Sequence, residues 1–116
     1  MKNDSIEVFG MKTGLSETCY RFFSNLANPT RLAALEALME RPMNVTQIAE
    51  TLGQEQSMVS HNLRPLVDCR FVYVERRGKE RVYSVNVETM DALFKIVESH
   101  AKRFCPTGGR CLFRGD

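Results

Sequence analysis

The sequence has no apolar stretch approaching the ~18 consecutive residues that a helix needs to cross a bilayer, so no membrane span is expected. Internal repeats and low-complexity tracts are missing as well, and the chain reads as one non-repetitive unit. No serine, histidine and aspartate triad, phosphate-cradling loop or paired-carboxylate cleft can be assembled from its motifs, so an enzyme is not expected. The opening Met1-Lys2-Asn3-Asp4 lacks the apolar core of a signal peptide, which points to the cytoplasm. Net charge is slight: +2 over 116 residues is too little, as a sum, to argue for a polyanionic partner. A chain of this length supports one compact core, so a binding surface and whatever regulates it must share that core or a dimer of it.

What is present is unevenly distributed. Between residues 70 and 81, Arg70, Arg76, Arg77, Lys79 and Arg81 face only Glu75 and Glu80, and residues 100 to 116 are basic again. Hydrophobic spacing predicts four helices before the first of these patches. Ser16 can cap a helix carrying Cys19, Tyr20, Phe22, Phe23 and Leu26. Asn28-Pro29 stops it and starts the next, since Asn caps and Pro suits the first helical position. Leu32, Leu35, Leu38 and Met39 form the expected buried stripe of that second helix. After Arg41-Pro42, a short helix from Val45 closes at Gly53, and a fourth runs from Glu55 to about Asp68, with Val59 and Leu63 inward and Met58 a candidate to join them. Pro65 removes an amide donor there, so a kink or early end is expected. Phe71–Arg76 and Arg81–Val85 are rich in β-branched and aromatic residues around Gly78, which predicts a hairpin, and Val87–Phe104 returns to helical spacing.

The fourth helix carries the functional signal. Gln56, Ser57, Ser60 and His61 are short or amide side chains at its N-terminal end, suited to base edges in a major groove, and Arg64 one turn on suits the backbone. Thr46 and Gln47, on the preceding helix, are candidate DNA contacts too. Arg76, Arg77, Lys79 and Arg81 on the hairpin can neutralise phosphates or reach a minor groove. A polar helix face or a basic hairpin alone could be a solvated surface; in this order and at this distance they predict a reader of double-stranded DNA. A winged-helix protein-interaction module without DNA binding is the alternative of another class.

Leu26-Ala27-Asn28-Pro29-Thr30-Arg31-Leu32, Val45-Thr46-Gln47-Ile48-Ala49 through Leu52-Gly53, Gln56-Ser57-Met58-Val59-Ser60-His61-Asn62-Leu63 and the hairpin with Val82-Tyr83 resemble the ArsR/SmtB family of winged-helix repressors, over roughly residues 16 to 104. The resemblance implies a mainly α fold with a β-hairpin wing, in the order of four helices, two strands and a last helix. It also implies a homodimer paired through its first and last helices, an imperfect inverted repeat as operator, and repression relieved by an inducer. Residues 1–14 are then expected to be a flexible arm, 15–104 the DNA-binding and dimerisation domain, and 105–116 a cysteine-containing tail.

One well-known family site places paired cysteines on the helix before the recognition helix, and residues 45–53 contain none. Another pairs Asp and His on the last helix, and Asp91, Glu98 and His100 lack that spacing. The remaining candidates are Cys105 and Cys111, separated by a Gly-containing loop, with Cys19 able to join them if the dimer forms as implied. Soft thiolates suit zinc, cadmium, copper(I), arsenite or antimonite. Alternatively, Lys102, Arg103 and Arg110 favour the thiolate of a redox or persulfide switch at the same pair, and a passive tail is also open. Cys69, beside Val67 and Phe71, is expected to be structural.

Overall fold

A computed structural model describes residues 20–105. The expected arm over 1–14 and the tail beyond Cys105 lie outside the described residues. The elements are α1 (Tyr20–Leu26), α2 (Pro29–Glu40), α3 (Val45–Leu52), α4 (Gln56–Asp68), β1 (Val72–Arg77), β2 (Glu80–Val85) and α5 (Val87–Phe104). This is the expected winged helix-turn-helix order. Among the described residues no helix is long and apolar enough to cross a membrane.

Local chemistry sets most of the boundaries. Asn28 Oδ1 accepts from the backbone N–H groups of Thr30 and Arg31 at 2.8 and 3.1 Å, with Pro29 at the first helical position of α2. Asn44 and Gln47 form a reciprocal capping box at the start of α3. Gly53 ends α3 in the left-handed region at φ 67, donating to Ala49 and Glu50 carbonyls. A side chain there would be strained, which is why the tight α3–α4 turn takes glycine.

The core lies between α2, α3, α4 and the inner side of the hairpin, around the fully buried Leu35, Ile48, Val59, Leu63, Leu66, Val72 and Met90. Two expected core positions are corrected. Leu32 is 40% exposed, and α2 instead buries Ala34, Leu35, Ala37 and Leu38. The alanines allow neighbouring elements to approach closely, so the buried stripe shifts round the helix from Leu32. Met58 is 49% exposed and belongs to the outer face of α4.

Pro65 does not end α4, which continues to Asp68. A helix-interior proline costs about 3 kcal/mol. Burying Leu63 and Leu66 on either side contributes about 1.5–3 kcal/mol each, enough to hold the turn together. The Cys69 N–H closes that turn on the Pro65 carbonyl at 3.0 Å. Beyond it, Arg70 donates to Val67 and Phe71 to Leu66, the two bonds of a Schellman cap, with Arg70 at φ 63 where glycine is usual.

In the antiparallel hairpin Val72 pairs with Val85, Val74 with Tyr83, Arg76 with Arg81 and Arg77 with Glu80. Gly78, at φ 65, opens the two-residue turn. The outer edge of β2 is itself paired, because Met43 and Tyr83 exchange backbone bonds of 3.0 and 2.8 Å. That bridge ties the wing to the α2–α3 connection. α5 starts at Asn86, whose side chain accepts from the Thr89 N–H, and only Met90 of α5 is buried.

Candidate nucleic-acid interface

α4 has two chemically distinct faces. Val59, Asn62, Leu63 and Leu66 point inward, while Gln56, Ser57, Ser60, His61 and Arg64 are all exposed. The 3.6-residue period produces this division: the inward set recurs at three- and four-residue steps, leaving the polar positions on one outward stripe. Glu55 at the N-cap makes no side-chain cap, so the amides of the first turn are open towards whatever meets this end of the helix.

The stripe forms one wall of an open cleft of about 660 Å³, whose polar lining is Ser57, Ser60, His61, Arg64 and, at the far end, the acidic Asp68 from α4, with Val74, Arg81 and Tyr83 from the wing. Strand alternation sorts the basic wing residues. Arg76 and Arg81 stand opposite each other on the same face as Val74 and Tyr83, the side that meets α4. Two cations in directly opposed positions repel, and a phosphate between them would relieve that. Arg77 lies on the other face and pairs with Glu75 at 3.4 Å. Lys79 sits exposed in the turn.

A smaller cleft of about 320 Å³ adjoins the first and brings Thr46 together with Ser60, Arg81, Asn44 and Glu80. Gln47 is exposed one residue further along, but its Oε1 accepts from the Asn44 N–H at 2.9 Å, so half of its amide is committed to capping α3. The structure thus brings together Thr46, Ser57, Ser60, His61, Arg64 and Arg81, with Arg76 on the same side, and turns Arg77 away. Asn44 and Glu80, joined by a 3.3 Å bond from Asn44 Nδ2 to Glu80 Oε2, were not expected in this surface. Their 36-residue separation leaves no local pattern to find them by.

The candidate sensing residues are less complete. Cys105 is half-buried at the end of α5, donating its N–H to Ala101 at 3.0 Å, whereas Cys19 and Cys111 lie outside the described residues. Among the described residues no three His, Cys, Asp or Glu side chains are grouped to hold a metal ion. Cys69 is half-buried against the core, as expected of a structural residue, and accepts from Asn25 Nδ2 at 2.8 Å. His100 is exposed and rests 5.1 Å from the Phe104 ring.

A family model described as bacterial regulatory protein, arsR family, matches residues 28–74, from the Asn28 cap into β1. The HTH-type transcriptional regulator NmtR of Mycobacterium tuberculosis is 47% identical over 60 residues, covering 52% of this chain and 50% of that protein. A probable mercury resistance operon repressor of Streptomyces lividans is 41% identical over 69 residues, covering 60% and 55%. The chain thus spans 50 to 55% of the length of these two relatives. A Mycobacterium bovis structure, described as the homodimeric winged helix-turn-helix DNA-binding domain of a possible ArsR-family transcriptional regulator, superposes with a TM-score of 0.67. It is 29% identical, and 75% of this chain and 81% of that one are covered. With the fold, the α4 face and these matches in agreement, the chain belongs to the ArsR family of bacterial regulatory proteins.

Proposed function

We propose that the protein is a sequence-specific DNA-binding transcriptional repressor that works as a homodimer and leaves its operator when a thiophilic metal or metalloid ion binds cysteine thiolates. The observation that carries the DNA-binding part is the convergence of Ser57, Ser60, His61 and Arg64 with Arg81 around one open cleft, with Arg76 on the same side. The α4 side chains would read base edges while the wing arginines hold the backbone that runs beside them.

Dimerisation is supported by exposed apolar side chains on the first and last described helices: Tyr20 and Phe23 on α1, and Ile96, Val97 and Phe104 on α5, are each more than half exposed. The M. bovis relative is described as homodimeric. Two copies related by a two-fold axis would present two α4 helices, and an imperfect inverted repeat is the operator matching that symmetry. Metal response rests on the softness of thiolates and on the relative described as a mercury resistance repressor. Cys105 and Cys111, with Cys19, are the proposed ligands.

The test is a mobility-shift assay with the DNA upstream of the protein's own gene, followed by titration of the reduced protein with zinc, cadmium, copper(I), arsenite and antimonite. Specific retardation is expected, with release by at least one ion in wild type and not in Cys105→Ser or Cys111→Ser. Absence of retardation alongside tight binding of a protein partner would favour an interaction module. Release only by a persulfide donor or oxidant would favour redox sensing at the same cysteines, and equal release from wild type and both variants would remove the sensor from the tail.

A further inference from the structure

Reading bases requires that α4 present its outward stripe at one fixed roll about its own axis. The apolar contacts of Val59, Leu63 and Leu66 hold α4 against the core with its polar stripe outward, but they are non-directional and leave small rotations about the helix axis open. Hydrogen bonds are directional, and α4 has one buried polar side chain among the described residues: Asn62, 8% exposed and adjacent to His61. Both ends of its amide are used. Oδ1 accepts from Arg31 Nε at 2.9 Å, and Nδ2 donates to the Met58 carbonyl at 3.0 Å.

Arg31 is held on two further sides. Its backbone N–H donates to Asn28 Oδ1, and its Nη1 donates to the Asn25 carbonyl in α1 at 3.3 Å. Among the described residues no carboxylate pairs with it. A planar guanidinium meeting two neutral oxygens on two different helices fixes direction and contributes little charge compensation. Asn25 adds a second tie, since its Nδ2 donates to Cys69 Sγ at the far end of α4. α1 is therefore connected through polar bonds to Asn62 within α4, by way of Arg31 of α2, and to Cys69 just past its end, 7 residues further in sequence.

We propose that Arg31 is a positioning residue for DNA reading: acting through Asn62, it sets the roll of α4 relative to α1 and carries any displacement of α1 to Ser57, Ser60 and His61. The inference rests on the DNA-binding function proposed above. It separates two properties that charge alone would keep together. Non-specific affinity follows the number of phosphate contacts and is insensitive to a small rotation of α4, whereas operator affinity depends on where the base-reading side chains point.

The experiment measures fluorescence anisotropy of the full chain with an operator duplex and a scrambled duplex of equal length at one salt concentration. Amide hydrogen exchange of α4 is followed without DNA. Asn62→Leu removes the acceptor while keeping the branched skeleton, Arg31→Lys keeps the charge but loses the fork, and Asn62→Asp keeps an oxygen facing Arg31. Asn62→Leu and Arg31→Lys are expected to lose about tenfold or more in operator affinity, the loss of one misplaced base contact, with scrambled-duplex affinity within about twofold of wild type. Their α4 amides should exchange faster. Asn62→Asp should retain most of the discrimination. If Asn62→Leu does not fold, Arg31→Lys against Asn62→Asp carries the comparison. Folded variants with wild-type discrimination and exchange overturn the positioning role while leaving the DNA-binding reading intact, and so does an equal loss on both duplexes. A wild type that fails to prefer the operator overturns that reading and this inference with it.

Discussion

The division of the wing arginines between two faces yields a quantitative expectation. Arg76 and Arg81 oppose each other on the α4 side of the hairpin, and Arg77 is on the other side with Glu75. Each phosphate contact adds about 0.9 to the slope of log affinity against log salt. Losing one contact should therefore shrink the affinity ratio between 50 and 200 mM salt by about 3.5-fold, the 0.9 power of a fourfold change in salt. Arg81→Ala is expected to do this, and Arg76→Ala likewise, whereas Arg77→Ala should leave the slope unchanged. Stability should move the opposite way for the first two. Removing one of two directly opposed cations relieves about 0.2–1 kcal/mol of cross-strand repulsion, so weaker DNA binding is expected without a lower melting temperature. For Arg77→Ala the lost ion pair is largely solvent-exposed and contributes under about 1 kcal/mol. Salt-titrated anisotropy with an operator duplex measures the slopes, and thermal unfolding measures stability. If Arg77→Ala flattens the slope as much as Arg81→Ala, or if neither Arg81→Ala nor Arg76→Ala changes it while wild type binds steeply, the assignment of faces to DNA is wrong.

Three other perturbations follow from the backbone and the exposed apolar faces. Arg70→Gly should raise stability by about 1 kcal/mol in thermal unfolding, because Arg70 occupies a left-handed Schellman position that costs a non-glycine residue about 1–2 kcal/mol; an unchanged or lower midpoint would contradict this. Pro65→Ala should stabilise the chain by about 1–2 kcal/mol, less than the full helix-interior penalty because proline also restricts the unfolded chain, and a loss of stability in denaturant unfolding would show that the ring itself packs productively. Val97→Asp, with Ile96→Asp as its companion, should convert a dimer to monomer in sedimentation velocity while leaving the helical circular dichroism in place; a dimer that persists would move the interface away from α5.

What could be read in the sequence was what local chemistry decides. The Asn28-Pro29 start, the Gly53 stop and the Gly78 turn each depend on residues within a few positions of one another, and each stands where expected. Burial was harder, because it depends on what packs against a face. Leu32 fits the periodicity of α2 and still faces outward, since the alanines of α2 admit the neighbouring elements on a different side. Pro65 shows the same limit from the other direction: its local preference against helix is real, and the burial of Leu63 and Leu66 outweighs it. The exposed polar face of α4 was legible by residue type and spacing, but the separation of Arg77 from Arg76 and Arg81 needed the register of the hairpin. The bond from Arg31 to Asn62 joins positions 31 residues apart, and neither residue type announces the other.

These observations connect the first and last described helices to the cleft between α4 and the wing. Among the described residues α5 leaves Val87, Ile96, Val97 and Phe104 exposed and α1 leaves Tyr20 and Phe23 exposed, so the energy of pairing two copies would be concentrated on elements that make no part of the α4 and wing cleft. A dimer built on such faces fixes the separation of two recognition helices only as firmly as each α4 is fixed to its own α1. Apolar packing supplies the attraction between them, and the Arg31, Asn25 and Asn62 bonds supply the direction. In such a dimer a ligand at the end of α5, beside Cys105, would release DNA without touching α4, provided that it favours a different packing of the two copies. The free energy available for release is then the difference in ligand affinity between the two packings, and a tenfold loss of DNA affinity needs about 1.4 kcal/mol of that difference. Such a switch leaves the reading residues unchanged and alters only their spacing, and severing Arg31 from Asn62 should weaken the response to the ligand as well as the discrimination between DNA sequences.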